Sequence, residues 1–303
     1  MKFANRHAAV TGGAGEIGLA IARRLSQEGA AITLLDKTIS AEIAGKAEKL
    51  GFRFVMMDVT DPTSVAEAIG SLAPIDIAVA NAGVHRGARA LDLSPADWAL
   101  MLSVNATGVF LFAQAAARRM VEAGGGGSIV VTGSWVQDVP NVDNTGYCAS
   151  KAAAAMVARC MALELGEHGV RVNVVAPGIV NAGMAKRQIN VDPAFARKAA
   201  KGIPLGALQT AEQVAAGVAF LCSDEAEAVT GTTLLVDGGL SLFKYEWDGA
   251  AAPPVRPRRR LRCARQQRHC AGGRRLQSRP PKHRHFSYKA LACAHARRRT
   301  AYR

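Results

Sequence analysis

Short apolar runs along the chain alternate with longer stretches in which apolar residues recur every three or four positions. Near-continuous apolar runs are typical of strands buried on both faces, whereas the longer period is typical of helices packed on them. The predicted strands are 7–11, 30–35, 52–57, 75–80, 128–132, 170–176 and 232–236. The predicted helices are one that ends near Glu28 and the segments 95–122, 145–167 and 211–222, whereas residues 180–209 are predicted to be irregular or weakly helical.

The repeated strand–helix unit predicts the fold class. Apolar strands joined by helices form a parallel sheet with helices on both faces, so we expect an α/β, doubly wound parallel sheet (Rossmann fold) in a single domain. In such sheets ligands bind beyond the carboxyl ends of the strands. The polar or turn-forming residues that follow the predicted strands are Gly12, Asp36, Asp58, Asn81, Ser134 and Pro177.

A glycine-rich segment, Thr11-Gly12-Gly13-Ala14-Gly15-Glu16-Ile17-Gly18, joins the first predicted strand to the first predicted helix. Gly13, Gly15 and Gly18 match the G-x-G-x-x-G fingerprint in the strand–turn–helix context that it requires. The glycines permit a tight turn, and the helix N-terminus offers free N–H groups to a pyrophosphate. The segment therefore predicts a dinucleotide site.

Asp36 ends the second predicted strand and lies eighteen residues after Gly18. An acidic side chain near this position binds the ribose hydroxyls of NAD and would repel the additional phosphate of NADP. We therefore expect NAD rather than NADP, and we note that the basic neighbour Lys37 could soften this preference.

Tyr147 and Lys151 lie one turn apart on one face of the predicted helix 145–167. A neighbouring positive charge favours the phenolate form of a tyrosine, whose unperturbed pKa is about 10. A tyrosine placed in this way can take a proton from a substrate oxygen or return one to it. Ser134 ends the preceding apolar strand, and we expect it to take part in the same site.

Basic residues are distributed unevenly, because 17 of the 38 Lys and Arg residues follow Asp248 while all 24 Asp and Glu residues precede Gly249. We expect a catalytic domain over residues 1–248, with a slight acidic excess, and a basic low-complexity tail over 249–303 that is disordered. Out-of-frame translation of GC-rich DNA would give the same composition. A tail that binds nucleic acid is the alternative, which its few aromatic residues disfavour.

The sequence indicates neither a metal site nor a membrane segment. None of the six Cys residues shows CxxC spacing, so neither zinc nor a redox motif is expected. The N-terminus has no charged region followed by a long apolar run, and the longest apolar stretches are too short or too rich in glycine to cross a bilayer. We expect a cytoplasmic, reducing location.

Eight elements of the chain occur in the order and spacing of one known family. They are Thr11–Gly18, Asp58-Val59, Asn81-Ala82-Gly83, Asn105, Ser134, Tyr147-x-x-x-Lys151, Pro177-Gly178 and Val236-Asp237-Gly238-Gly239. Over about residues 1–245 the chain therefore resembles the classical short-chain dehydrogenase/reductases. The resemblance implies a reversible hydride transfer between NAD(P) and an alcohol or ketone, and pairing of subunits into a dimer or tetramer through the two long helices.

The resemblance also implies roles for individual residues. Tyr147 would take the hydroxyl proton, and Lys151 would lower the pKa of Tyr147 and bind the nicotinamide ribose. Ser134 would bind the substrate oxygen, and Asn105 would hold a water that links Lys151 to solvent. The implied cofactor contacts are Gly12, Gly15, Ile17, Gly18, Asp36, Asp58, Val59, Asn81, Tyr147, Lys151 and the backbone near Ile179.

Two positions depart from the family pattern. Glu16 replaces the middle glycine of T-G-x-x-x-G-x-G, and a carboxylate near a pyrophosphate is unfavourable unless it points outward. Ala182 occupies the position where many members carry a threonine that binds the carboxamide, so backbone contacts would have to suffice.

These observations predict an NAD-dependent dehydrogenase of secondary alcohols. The mixed polarity of residues 135–144 suits a sugar or polyol, and His85 and Arg86 either face that substrate or belong to a solvated loop. The alternative is a 3-oxoacyl-[acyl-carrier-protein] reductase, which shares the same motifs. The expected partner is a small-molecule alcohol or ketone.

Overall fold

The computed structural model describes residues 1–191 and 193–242. Its strands form one parallel seven-stranded sheet in the order β3-β2-β1-β4-β5-β6-β7. The predictions for the tail 249–303 and for the boundary at residue 248 lie outside the described residues. The strands are β1 His7–Thr11, β2 Ala31–Asp36, β3 Arg53–Met56, β4 Ile77–Ala80, β5 Gly127–Thr132, β6 Val170–Pro177 and β7 Thr233–Val236.

Helices cover both faces of this sheet, which confirms the predicted α/β doubly wound class. A π-helical turn, Ser103–Gly108, joins α4 to α5. The helices are α1 Glu16–Gln27, α2 Ala41–Lys49, α3 Pro62–Gly70, α4 Pro95–Leu102, α5 Val109–Ala123, α6 Thr145–Leu165, α7 Gly183–Val191, α8 Pro193–Gly202 and α9 Ala211–Cys222.

The segment predicted to be irregular or weakly helical holds two ordered helices, α7 and α8. Each is short, so its apolar residues are too few to show a clear helical period in the sequence. The Ala, Lys and Arg content of α8 favours a helix, and Pro193 suits its first position.

Alternate residues of the central strands enter two separate cores. Ala8 and Val10 of β1 pack with α1 and α9, whereas Ala9 between them packs on the opposite face with α5 and α6. Because both faces are covered, most side chains along the strands are apolar, and polar ones within them, such as Thr33 and Asn173, are buried. Asp36, Asn81 and Ser134 lie at or directly after strand ends.

The strand order reverses between β1 and β4, which pair with each other and lead to opposite halves of the sheet. At such a switch point the loops that follow the two strands diverge and leave a crevice. The glycine-rich segment follows β1, and Asn81-Ala82-Gly83 follows β4. The fold therefore places the predicted dinucleotide segment at the edge of this crevice.

The composite helix Pro95–Ala123 contains an 18-residue window with a mean hydropathy of 1.5, so by length and composition it would suffice to cross a membrane. The sequence prediction that no stretch is long and apolar enough was therefore wrong for this segment. Its Met101, Phe112, Ala116 and Met120 side chains are fully buried in the protein. Packing inside the protein accounts for these side chains.

The glycine-rich segment has no room for side chains at three of its positions, Gly12, Gly13 and Gly18. Gly12 has a φ of +61°, and a Cβ added there would lie 2.9 Å from Ala82 Cα. A Cβ added at Gly18 would overlap the Gly12 carbonyl oxygen. The turn is thus as tight as the fingerprint predicts, since backbone packs directly on backbone.

We expect Gly18→Ala to lower the free energy of unfolding by about 1–3 kcal/mol, because the new methyl group meets backbone that cannot move aside. Gly45→Ala is the matched control, since nothing lies within 4 Å of a Cβ added in that helix. It should raise the free energy of unfolding by about 0.5–1 kcal/mol. Denaturant unfolding measures both, and equal shifts would contradict this account of the turn.

Candidate active site

The first turn of α1 is free to receive an anion. Its N-cap, Gly15, supplies no side-chain hydrogen bond. By contrast, α2, α3, α4 and α9 are capped by the side chains of Ser40, Asp61, Ser94 and Thr210. The first N–H groups of a helix have no intrahelical partner and attract negative charge. With the tight turn at Gly12, this end of α1 fits the pyrophosphate of a dinucleotide.

Asp36 ends β2 beside the glycine-rich segment. Its carboxylate accepts hydrogen bonds from the backbone N–H of Ala14 at 3.1 Å and of Lys37 at 2.8 Å. The predicted ribose ligand therefore lies at the edge of the predicted pyrophosphate site.

The side chain of Lys37 pairs with Asp58 and not with its sequence neighbour Asp36. Its ammonium donates to Asp58 at 2.9 Å, and this pair together with hydrogen bonds from Thr60 lowers the pKa of Asp58 to about 2. The cation therefore contacts the carboxylate after β3 and does not contact Asp36 through its side chain.

The Glu16 side chain points away from the glycine-rich turn, so its carboxylate is directed away from the predicted pyrophosphate site. Its carboxylate accepts hydrogen bonds from Lys186 Nζ, at 2.7 Å, and from the backbone N–H of Gly183. These two bonds, the lysine first, lower the pKa of Glu16. The charge is thus neutralised by α7.

Asn81 ties strand ends together. Its Nδ2 donates to the carbonyl oxygens of Thr11 at 3.0 Å and Gly12 at 3.3 Å, and its Oδ1 accepts from the Thr132 hydroxyl at 3.3 Å. The side chain lies at the crevice, as expected of a residue that lines a cofactor channel. Its amide is nevertheless occupied by protein partners.

The three residues expected to do chemistry lie together beyond β5. Ser134 follows this strand, is buried, and is hydrogen-bonded to the Tyr147 hydroxyl. Lys151 is also buried, its Nζ lies 5.8 Å from the centroid of the Tyr147 ring, and it donates to the Thr132 carbonyl at 2.7 Å. The α6 helix thus delivers Tyr147 and Lys151 to the end of the strand that carries Ser134.

Burial governs the titration of Tyr147 and Lys151. It raises the pKa of Tyr147 to about 12, against the opposing effect of the hydrogen bond with Ser134, and it lowers the pKa of Lys151 to about 8. In this structure burial decides the direction of the shift in the Tyr147 pKa, and the lowering expected from Lys151 stays a prediction. The reason is that desolvation disfavours both charged forms, while the ammonium is directed at the Thr132 carbonyl.

Asn105 is fully buried in the π-helical turn. Its Oδ1 accepts from the Val84 N–H at 2.8 Å, and its Nδ2 donates to the Val84 carbonyl at 2.8 Å and to Ser150 Oγ at 2.9 Å. Both amide protons are therefore used, so the side chain could hold a water only through the second lone pair of Oδ1. Its predicted relay role stays a prediction.

The remaining predicted cofactor contacts lie around the same edge. Val59 packs against Gly108 of the π-helical turn, where an added Cβ would come within 2.8 Å of Val59 Cγ2. Ile17, in the first turn of α1, is partly buried against the hydrophobic core. Ile179 follows β6, and its carbonyl accepts a hydrogen bond from the Gln209 N–H at 3.0 Å. Ala182 is buried, so no side-chain hydroxyl is offered at that position.

Sequence reasoning missed the residues that support the site. Ser150 links Asn105 to α6 by donating to the Tyr147 carbonyl at 2.8 Å, and Thr132 offers its carbonyl to Lys151. The signal for Ser150 was its place one turn after Tyr147. The contact of His85 with Tyr147, by contrast, joins the loop after β4 to helix α6 and leaves no local pattern.

Comparison with known proteins gives consistent matches over the described region. The family model for Enoyl-(Acyl carrier protein) reductase matches residues 12–241. D-threitol dehydrogenase of Mycolicibacterium smegmatis is 37% identical over 245 residues, which cover 78% of this chain and 92% of that protein. The chain belongs to the short-chain dehydrogenase/reductase family.

Two further members of the short-chain dehydrogenase/reductase family are similar. The 2,5-dichloro-2,5-cyclohexadiene-1,4-diol dehydrogenase of Sphingobium indicum is 34% identical over 252 residues, covering 80% of this chain and 98% of that protein. A solved structure is also similar, the crystal structure of a gluconate 5-dehydrogenase from Burkholderia cenocepacia in complex with NADP and tartrate. It superposes with a TM-score of 0.73 at 32% identity, and the match covers 79% of this chain and 96% of that chain.

This short-chain dehydrogenase/reductase is therefore an oxidoreductase that acts on CH–OH groups of secondary alcohols with a nicotinamide cofactor and a small-molecule substrate.

We expect Lys151→Met to raise the free energy of unfolding at pH 7 by about 1–3 kcal/mol, since one unit of pKa shift corresponds to about 1.4 kcal/mol. At pH 7 the folded protein must keep a buried ammonium charged. Between the folded pKa of about 8 and the ordinary value of 10.5 the unfolded chain binds more protons, so the unmodified protein gains stability with rising pH and the difference shrinks.

Denaturant unfolding at a series of pH values measures this difference, and turnover of Lys151→Met should be lost. Lys49→Met, which removes an exposed lysine from α2, is the control and should change neither property. A Lys151→Met protein that is less stable by the same amount at every pH would contradict the account.

Proposed function

We propose that the protein is an NAD-preferring dehydrogenase of secondary alcohols in sugar-like, polyol or cyclic diol substrates. The observation that supports this most strongly is the grouping of Ser134, Tyr147 and Lys151 at the end of β5, beside the uncapped first turn of α1. A proton-transferring group and an anion-binding helix end then serve one substrate–cofactor pair.

In the oxidative direction Tyr147 takes the proton from the substrate hydroxyl, and in the reductive direction it returns that proton to the carbonyl oxygen. When bound, the nicotinamide supplies the hydride acceptor or donor. The Ser134 hydroxyl holds the substrate oxygen and stabilises the charge that develops on it. Because burial keeps the phenol protonated at neutral pH, oxidation requires the positive charge of Lys151 nearby.

Three residues support the preference for NAD. The Asp36 carboxylate stands beside the glycine-rich segment, where it would accept ribose hydroxyl protons and repel a phosphate. Lys37, the nearest cation to Asp36 in sequence, is paired with Asp58 and is therefore not free to offset that repulsion.

The substrate class is inferred from the relatives and from the pocket wall. D-threitol dehydrogenase and the dichlorocyclohexadienediol dehydrogenase are named for substrates with two or more hydroxyl groups. In this chain Asn144 and His85 supply polar atoms next to Tyr147. Both features favour a hydroxylated substrate over a long acyl chain.

A second copy of the chain is proposed to cover the outer faces of α5 and α6. A groove of about 340 Å³ lies between these helices, and Phe110, Val121 and Met161 contribute to its lining. Phe110 in this groove is 39% exposed, and Met156 and Leu163, elsewhere on α6, are 54% and 86% exposed. Exposed apolar side chains on adjacent long helices suit a dimer or tetramer. We also propose that the enzyme is cytoplasmic.

We expect Tyr147→Phe to lower turnover by about a hundredfold or more while NAD still binds, because only the hydroxyl is removed. The experiment follows the absorbance of reduced nicotinamide over a panel of sugars, polyols, cyclic diols and a 3-oxoacyl thioester. Cys148→Ala is the neighbouring control and should retain activity. Near-normal activity of Tyr147→Phe would falsify the mechanism, and turnover of the thioester alone would favour the reductase alternative.

We expect Asp36→Asn to lower the ratio of kcat/KM for NAD to that for NADP by about tenfold, since it removes the repelling charge and keeps the shape. Asp36→Ala should do the same and also weaken the contact with Ala14. Kinetics with both cofactors measure the ratio. An unchanged ratio in both variants would remove Asp36 from this role.

A further inference from the structure

The loop after β4 holds a histidine against the tyrosine of the site. The rings of His85 and Tyr147 meet edge to face, with centroids 5.0 Å apart and planes at 90°. The loop is pinned there because the Ala88 N–H donates to the Asp143 carbonyl at 2.9 Å. The next side chain, Arg86, turns away to Asp97 at 3.7 Å.

The hydrogen bonds around His85 assign its two ring nitrogens. Asn144 Nδ2 donates to the Val142 carbonyl at 2.8 Å, which identifies the other atom of that amide as the oxygen. This Oδ1 lies 2.6 Å from His85 Nε2, and an amide oxygen can only accept. Nε2 therefore carries the proton, and in the neutral ring Nδ1 has a free lone pair.

Nδ1 has no hydrogen-bond partner among the described residues. It is also absent from the small set of sealed polar atoms without a partner, Glu28 Oε2, Arg119 Nε and Gln209 Oε1, so it is open to solvent or to a bound molecule. A half-buried acceptor of fixed orientation thus stands beside the ring of Tyr147. A hydroxyl group is the donor that suits it.

We propose that His85 Nδ1 accepts a hydrogen bond from a second hydroxyl group of the substrate, whose first hydroxyl is the one oxidised at Tyr147. His85 is then a specificity residue that makes the enzyme prefer diols to simple alcohols. The inference rests on the proposed function, since it uses the same pocket and the same reaction.

Three variants separate this role from simple ring packing. His85→Asn keeps a polar atom near the position of Nδ1, since an asparagine amide branches at the same point as the imidazole. His85→Gln keeps a polar atom near the position of Nε2 but loses Nδ1. His85→Phe keeps an aromatic ring against Tyr147 and loses both nitrogens.

The experiment compares kcat/KM for cis-1,2-cyclohexanediol and cyclohexanol. We expect the unmodified enzyme and His85→Asn to prefer the diol, and His85→Gln and His85→Phe to lose about tenfold of that preference, mainly through KM for the diol. Arg89→Ala, which changes a largely exposed side chain of the same loop, should keep the preference.

Two results would overturn the proposal. One is an unmodified enzyme that oxidises both alcohols equally well. The other is a His85→Phe enzyme with normal diol preference, or a set of variants that lose activity on both alcohols alike, because a packing role alone predicts those patterns.

Binding of the same diol, measured by calorimetry in the presence of NAD, separates this proposal from the proposed function. Diol binding that weakens in His85→Gln but not in Arg89→Ala supports the contact even if neither alcohol is oxidised. Absence of turnover on every alcohol would then count against the proposed function alone, whereas equal diol binding by all variants would overturn the role of His85.

Discussion

The side-chain amide of Asn81 joins the carboxyl ends of β1, β4 and β5, and the site is arranged around this connection. It engages the Thr11 and Gly12 carbonyls on one side and the Thr132 hydroxyl on the other. Three strands are thus held at one level at the switch point of the sheet. The Thr132 carbonyl, fixed in this way, is the acceptor that holds the Lys151 ammonium.

This arrangement is locally unfavourable for stability, because it buries two ionisable side chains. Lys151 and the hydroxyl of Tyr147 lie in surroundings that disfavour charge, so one base is shifted toward its neutral form and one acid is kept protonated. Ionisable groups whose pKa values are shifted in this way are typical of sites that transfer protons. The rigid sheet edge and the well-packed α5 and α6 helices make that local instability tolerable, since the core on both faces is continuous.

The sequence predicted the sheet, the long helices and the position of Tyr147, Lys151, Ser134 and Asp36 well, because those features depend on local period and spacing. It did not predict the partners of charged residues. Glu16 pairs with Lys186, 170 positions away, and Lys37 turns to Asp58 across two strands. Such pairs are set by how loops meet after the chain has folded. The same holds for His85 and Asn144, which lie 59 positions apart.

The ion pair between Glu16 and Lys186 joins the first turn of α1 to the start of α7 through two half-exposed side chains. Exposed charges attract each other less in concentrated salt, because mobile ions screen them over a few ångströms. Ionic strength therefore acts on the attachment of residues 183–191 without disturbing the apolar sheet. At a position where the family usually has glycine, Glu16 thus makes an ion pair at the edge of the crevice whose strength depends on the salt concentration.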